Sequence, residues 1–525
     1  MDKTKQLGQY FTPDFVANFM VGLISKTKEA YILEPSSGEG VFLSALKKAG
    51  YKNFIGYEID ESLIKPDSTN VRNESFISAS FERQFDAVVG NPPYVRWKNM
   101  ADTQKSELSN DRLWNQYFNS LSDYLYIFIL KSVELLREGG ELIFITPEYW
   151  HNTMHSQSLR NYLLDHGYIQ EIYHFNETPI FSKVASSIII IKYIKTSEKS
   201  RLNKSIKIHR YSSKRRLSGQ DLVSIDLNDS WSNFNIEQFA KNESWILAPD
   251  NIKDELLAYE DKCRTRSKDF HPLTLIPEEM PYVKLGDISN IANGLVSGLD
   301  KAFQLPSDIE LSDKENKSTL NVVKAKDVRS FISTDFRRYI FLNKTEITES
   351  ELQKDYPVFY EQLVPYKDDL LKRYSYNRQI NYWDWVFLRS MKVFNQDKEK
   401  LFVPCKERIT NKTRLRFCIA SPEEYPTQDI TAIYLNENVK ETIYYILALL
   451  NNKVTYDWVK YKGLMKGGIA EFSERPLASI PIRLIDWANK NDVSLHNKIT
   501  KATKAYISGN VGIEKIDKLV LELLS

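Results

Sequence analysis

"FDAVVGNPPYVRW", residues Phe85 to Trp97, sets an apolar run against an abrupt stop. Phe85 to Val89 reads as a buried strand. The two prolines that follow cannot donate to a ladder, so the strand ends at Gly90. An asparagine amide and a tyrosine ring are left on a stiff turn just past its carboxyl end. In an open parallel sheet that edge is where ligands bind, near the point at which strand order reverses.

The flanking sequence has the rhythm such a sheet needs. "FVANFMVGLIS" places Val16, Phe19, Met20, Leu23 and Ile24 at helical spacing, with Thr12-Pro13 as cap hydroxyl and first-turn proline. "AYILEP" is a strand, "VFLSALKKAG" a helix stopped by glycine and "NFIGYEID" a second strand. "SFISASF" offers a third strand and "FDAVVG" a fourth. Asp123 opens a long helix that leads to the strand "ELIFITP". A helix near Ser156–Asp165 and the strands "IQEIYHF" and "SSIIIIKYI" complete the series. The alternation predicts an α/β domain, a mostly parallel sheet with helices on both faces.

After Ile194 the texture changes. "KTSEKSRLNKSIKIHRYSSKRRL" is polar and basic and reads as a solvated connection. The division expected is 1–240, with a core over 1–195 and a basic linker over 196–240, then a mixed α+β domain over 241–525 ending in helices such as "IDKLVLELLS".

Composition bounds the function. Of 525 residues, 42% are hydrophobic and 27% charged, as in globular proteins. The net charge of +2 rules out a polybasic chain, so a nucleic-acid surface must arise from local clusters. Cys263, Cys405 and Cys418 fit neither a disulfide framework nor a zinc spacing, which places the chain in a reducing cytoplasm. The start lacks the apolar core of a signal peptide, and the longest aliphatic run is too short for a bilayer. His151 and His155 have no third ligand in view, so no metal site is read.

Three strand ends carry chemistry. "LEPSSGEG" ends a strand at Glu34, and Gly38 and Gly40 let backbone pass close to a ligand. Glu58, in "GYEID", follows Gly38 by twenty residues, the spacing at which an acid reaches a ribose diol. The third end is Asn91-Pro92-Pro93-Tyr94. An exocyclic aromatic amine is a weak nucleophile until its nitrogen moves toward tetrahedral geometry. Fixed acceptors, the Asn91 side-chain oxygen and the Pro92 carbonyl, favour that change, and Tyr94 offers a face for stacking. Taken singly these are a tight turn, a solvated carboxylate, a rigid bend and, at Thr12, a helix cap. In this order, each past a strand, they read as one site. A nicotinamide enzyme is disfavoured, because the three-glycine fingerprint is absent.

"GQYFTP", "ILEPSSGEG", "GYEID" and "NPPY", in that order, resemble the gamma-class (TaqI-like) N6-adenine DNA methyltransferases. The likeness covers roughly the first 195 residues closely. It continues more loosely to "NGLVSGLDKAF", Asn293 to Phe303, which resembles the opening of the family's target-recognition domain. It implies a Rossmann-like class I methyltransferase domain followed by a recognition domain, S-adenosylmethionine as methyl donor, and an adenine flipped out of double-stranded DNA. By the same resemblance, Thr12 contacts the methionine part of the cofactor, Glu34, Ser36 and Gly38 line it, Glu58 holds its ribose and Pro93 borders it. Asn91 and Pro92 bind the target amine, and Tyr94 and Phe181 contact the base. One position departs: the family's acid after the third strand, aligned on "FDAVVGNPPY", falls on Ser80, which lacks a carboxylate but can still hydrogen-bond the cofactor.

DNA contacts are expected where cations meet aromatics. These are Arg96 and Lys98 in the long segment after the catalytic loop, Arg373 and Arg378 in "RYSYNRQINYWDWVF", Lys412 and Arg414 in "KERITNKTRLRF", and Lys462 in "VKYKGLMKGG". The resemblance further implies a monomeric modification enzyme in a bacterial or archaeal cytoplasm, at the nucleoid, solitary or paired with a separate restriction endonuclease. The alternatives are methylation of another planar amine or amide (an RNA base, cytosine N4 or a protein glutamine) and a catalytically silent DNA-binding protein on the same scaffold.

Overall fold

The computed structural model describes residues 10–66, 68–176, 178–181, 187–213, 215–264, 282–342, 347–373, 380–388, 390–410, 412–466 and 468–525. The chain divides into two compact units, Met1–Lys253 with Leu464–Gly468, and Asp254–Gly463 with Ile469–Ser525.

The first unit is built on one sheet. Its strands are β1 (Tyr31–Glu34), β2 (Asn53–Tyr57), β3 (Val71–Arg72), β4 (Phe85–Gly90), β5 (Leu136–Pro147), β6 (Gly167–His174), β7 (Ile188–Lys195), β8 (Ile206–Tyr211) and β9 (Trp231–Ile236). They lie in the order β3-β2-β1-β4-β5-β7-β6-β8-β9. The ladders from β3 to β5, and that between β6 and β8, are parallel; β7 runs antiparallel to both neighbours, and β9 to β8. The order reverses between β1 and β4, which puts the switch point beside the NPPY turn.

Alternate residues feed opposite faces. Ile32, Ala87, Val89, Ile143 and Ile190 join a core with helix α1 (Asp14–Gly22) and helix α2 (Val41–Lys48). Leu33, Val88, Leu142, Phe144 and Ile191 join the opposite core. There they meet α5 (Tyr124–Leu135) and α6 (Gln157–His166), which follow the short α3 (Asp102–Asn110) and α4 (Arg112–Tyr117). Covering both faces explains the uninterrupted isoleucines of β7. Truncating one of these fully buried isoleucines to alanine costs about 2–5 kcal/mol.

Two expectations are corrected here. "SFISASF" is not a strand: the third strand is only Val71–Arg72, and Phe76 and Ile77 turn inward as core instead. Nor is 196–240 a mere linker. Ile206 and Ile208 pack on one face of the sheet and Tyr211 and Trp231 on the other, so β8 and β9 extend it. The intervening lysines, histidine and arginine hid that alternation. Among the described residues no helix is long and apolar enough to cross a membrane.

The second unit is mixed α+β. Ser289–Asn293, Ile430–Leu435, Lys400–Pro404 and Cys418–Ala420 form an antiparallel sheet in that order. Phe303, Tyr339, Trp385, Phe402 and Tyr434 share its core. Helices Lys490–Ile507 and Glu514–Leu524 close the chain.

Candidate active site

At the carboxyl edge of β1, Ser37 N–H donates to the Tyr57 carbonyl at 2.8 Å and pins the glycine turn to the end of β2. Gly38 and Gly40 both have positive φ, 51° and 79°, a conformation glycine adopts without steric cost. Glu58 sits just past β2. Its two oxygens accept from Gly38 N–H at 2.7 Å and Asp60 N–H at 2.8 Å. Burial pushes this carboxyl's pKa up, and the two N–H bonds pull against it. Glu34 is 1% exposed, and among the described residues neither of its side-chain oxygens has a hydrogen-bond partner. Burial, and then the charge of Glu58, drive its pKa well up.

The NPPY turn is tied in from both sides. Ser36 Oγ donates to the Asn91 carbonyl at 3.0 Å. Asn91 Nδ2 donates to the Tyr10 carbonyl at 2.7 Å and to Thr12 Oγ1 at 3.1 Å. The Thr12 hydroxyl therefore serves Asn91, and α1 has no side-chain cap bond, contrary to the capping reading. With its nitrogen fixed, Asn91 turns Oδ1 to the Tyr94 hydroxyl, which also donates to the Ile145 carbonyl at 2.8 Å. The Tyr94 ring stacks on Tyr10 with centroids 5.7 Å apart and planes at 21°, and Phe181 lies 6.2 Å beyond Tyr10.

A cleft runs along this edge. Ser36, Gly38, Glu58, Asn91 and Pro93 line it, together with Tyr10. Pro92 is buried behind the turn. The far end is aromatic, with Phe76, Tyr124 and Phe128 beside Ser75, Glu74 and Gln104. Ser80 is exposed and is not part of the lining. Counting back from "FDAVVG" stopped short of the cleft, because eight residues, 77–84, lie between Phe76 and β4. The residues that follow β3 in the cleft are Glu74, Ser75 and Phe76, so a carboxylate does stand there.

Sequence reasoning missed Glu74, Phe76, Gln104 and the ring of Tyr10. Tyr10 had a signal, its place in "GQYFTP"; the other three carry no motif.

The chain is 43% identical to Type II methyltransferase M.HindII of Haemophilus influenzae, over 98% of its own length and 99% of that protein. It belongs to the Type II methyltransferases. M.HincII of Haemophilus influenzae is 41% identical over the same shares. The family model of the Eco57I restriction-modification methylase matches residues 30–181. The Type IIL restriction-modification enzyme MmeI, solved with DNA, has a similar fold: TM-score 0.60 at 14% identity, covering 97% of this chain and 72% of that one. This Type II methyltransferase thus methylates DNA at specific sites.

Arg96 and Lys98 of the methyltransferase are exposed just past the NPPY turn, and Trp97 between them stacks on Trp114 at 5.7 Å. The segment they open is not a bare loop, since it folds into α3 and α4. The cations picked out in the second unit are engaged within it. Arg373 donates to the carbonyls of Leu370 at 2.7 Å and Ser297 at 2.5 Å, and burial lowers its pKa to about 10. Lys412 pairs with Glu407 at 2.7 Å and Lys462 with Glu260 at 2.5 Å. Arg414 bonds Asp517 Oδ1 at 2.9 Å and the Asn451 carbonyl at 3.0 Å. Arg378 lies outside the described residues. Arg373, Arg414 and Lys462 are thus each held by partners of the second unit. Lys412 keeps a side chain 39% exposed.

Proposed function

We propose that the chain transfers a methyl group from S-adenosylmethionine to N6 of an adenine rotated out of duplex DNA, in the cleft at the carboxyl edge of β1, β2 and β4. The observation that carries this is Asn91. Its amide nitrogen is fixed by Tyr10 and Thr12, so its oxygen is the end left to face a hydrogen-bond donor. Tyr94 fills that role with its hydroxyl, and the target amine takes it over.

The residues at the edge suit the cofactor. A buried carboxyl with unpartnered oxygens is costly, and the ammonium of the methionine part relieves that cost at Glu34. Glu58, immobilised by two N–H bonds, is the acceptor for the ribose hydroxyls. Ser36 and Gly38 form the floor, Pro93 the border, and Phe76 with Phe128 the apolar slot for the purine. Glu74 is the acceptor for its exocyclic amine. Thr12 acts through Asn91 and the methionine end. When bound, the sulfonium supplies an electrophilic methyl carbon.

Asn91 Oδ1 and the Pro92 carbonyl accept the two amine hydrogens and favour the geometry from which nitrogen attacks. The nitrogen held there would take the methyl carbon that the bound donor supplies, the electron pair of the broken C–S bond returning to sulfur. The extra proton leaves to water once the amine is methylated. Tyr94 stacks on the base from one side, with Tyr10 and Phe181 completing an aromatic wall. Removing the base from its stack is what allows this reach. Arg96 and Lys98 meet phosphates, and the second unit reads sequence. The enzyme is a monomer in the cytoplasm that protects DNA from a separate endonuclease.

The test is transfer of labelled methyl from S-adenosylmethionine to duplex DNA, followed by digestion to nucleosides. N6-methyladenine in one sequence context is expected. Label in cytosine, or none in DNA, rejects the proposal.

A further inference from the structure

Helix α3 reads "DTQKSELSN", and only two of its residues are buried, Gln104 and Leu108. They are four apart and share its inner face. Leu108 packs into the core, as an inner leucine should. Gln104 is 6% exposed at the equivalent place one turn earlier. Burying a carboxamide there is unfavourable unless both of its ends are used.

One end is used by the helix itself. Gln104 Oε1 accepts from the Ala101 N–H at 3.1 Å, as a glutamine at the third helical position does in a capping box. That bond also fixes which way round the amide lies, because turning it over would set N–H against N–H. Nε2 is therefore directed away from the cap. It donates to no group among the described residues, and the side chain lines the cleft beside Ser75, Phe76 and Tyr124.

We infer that Gln104 is a specificity-determining residue for the methyl donor, its Nε2 donating to a ring nitrogen of the cofactor's adenine. The inference rests on the cofactor reading above and deepens it. Glu74 accepts from the exocyclic amine while Gln104 donates to the ring, an acceptor and a donor that together match adenine. Phe76 and Phe128 by themselves provide only an apolar slot.

The experiment is calorimetric titration with S-adenosylhomocysteine and with its 1-deaza, 3-deaza and 7-deaza analogues, each lacking one ring acceptor. The wild-type protein is expected to bind the parent and to lose about five- to tenfold affinity for one analogue, the worth of one neutral hydrogen bond. Gln104→Ala is expected to bind the parent that much more weakly and to be indifferent to the same analogue. Gln104→Glu keeps an oxygen for Ala101 but has no amide donor. It should melt with the wild type and share the indifference of Gln104→Ala. Two results overturn the inference while leaving the cofactor reading intact: a wild type that treats all three analogues like the parent, or a Gln104→Ala that binds weakly yet still discriminates, which makes Gln104 only a cap. Failure of the wild type to bind S-adenosylhomocysteine at all overturns both.

Discussion

Glu58 and Arg414 are both partly shielded ionic side chains, but their partners differ. Glu58 is clamped by two backbone N–H groups. Asn91 is likewise held by a carbonyl and a hydroxyl. Such contacts fix a side chain without cancelling the charge or the acceptor it offers. Arg414 faces the carboxylate of Asp517 and Lys462 that of Glu260. Those contacts neutralise as well as fix. A polar group immobilised by backbone keeps a face for a ligand, whereas one immobilised by an opposite charge has spent it on the fold.

The largest effect this contrast predicts is at Asn91. Replacing it with alanine removes a preorganised acceptor and should lower turnover by about 10²–10³-fold. Calorimetric binding of S-adenosylhomocysteine should persist, because Glu58 and the glycine turn do not depend on Asn91. Near-normal turnover would break the contrast at its strongest point.

Glu58, Asn91 and Gly38 were legible because a strand end is a local event, marked by prolines, glycines and the stop of an apolar run. The structure brings them to one cleft without help from distant sequence. β3 was not legible, since a two-residue strand leaves no apolar run. β8 was hidden by its own lysine, histidine and arginine. The fate of the second unit's cations was beyond reach for another reason. Arg414 and Asp517 are 103 residues apart, and Lys462 and Glu260 are 202 apart. No periodicity reports a pairing across such separations. Gln104 combines both difficulties: Leu108 is the one apolar residue of its helix, and its burial is decided by what packs over it.

The contrast can be sharpened inside the first unit. Glu148, just past β5, sits at the ligand-facing edge yet is spent on His174 at 2.9 Å. Burial works to raise its pKa, but the His174 charge and hydrogen bond outweigh that and bring it down to about 2. The unfolded chain then binds more protons than the folded one between the unfolded value of about 4.3 and that level. Stability from this group is complete above the unfolded value and is lost as pH falls toward 2. The loss is on the order of 2 kcal/mol, with allowance for the group's partial exposure. Urea midpoints measured at pH 6 and pH 3 should converge in Glu148→Gln relative to wild type. Methyl transfer at pH 7.5 by a still-folded Glu148→Gln should stay within about threefold, as expected for a charge committed to structure.

Arg414→Ala has the smallest effect and separates the two kinds of cation most directly. As a structural pair about one-quarter exposed on each side, its loss should cost about 1–2 kcal/mol of stability, more than a surface pair and less than a fully buried one. A cation that contacts phosphate behaves otherwise: its removal lowers the dependence of log affinity on log salt by about one unit while leaving the melting point nearly unchanged. DNA binding titrated across a salt series, beside a thermal melt, reads both quantities on the same protein. The Asp517 pairing predicts a lower melting point and an unaltered salt slope. The same pair of measurements on Lys98→Ala, exposed beside the NPPY turn, should show the reverse. If Arg414→Ala instead reduced the slope and left the melt alone, its ion pair would be one that opens for DNA, and a neutralised charge would no longer mark a group as belonging to the fold.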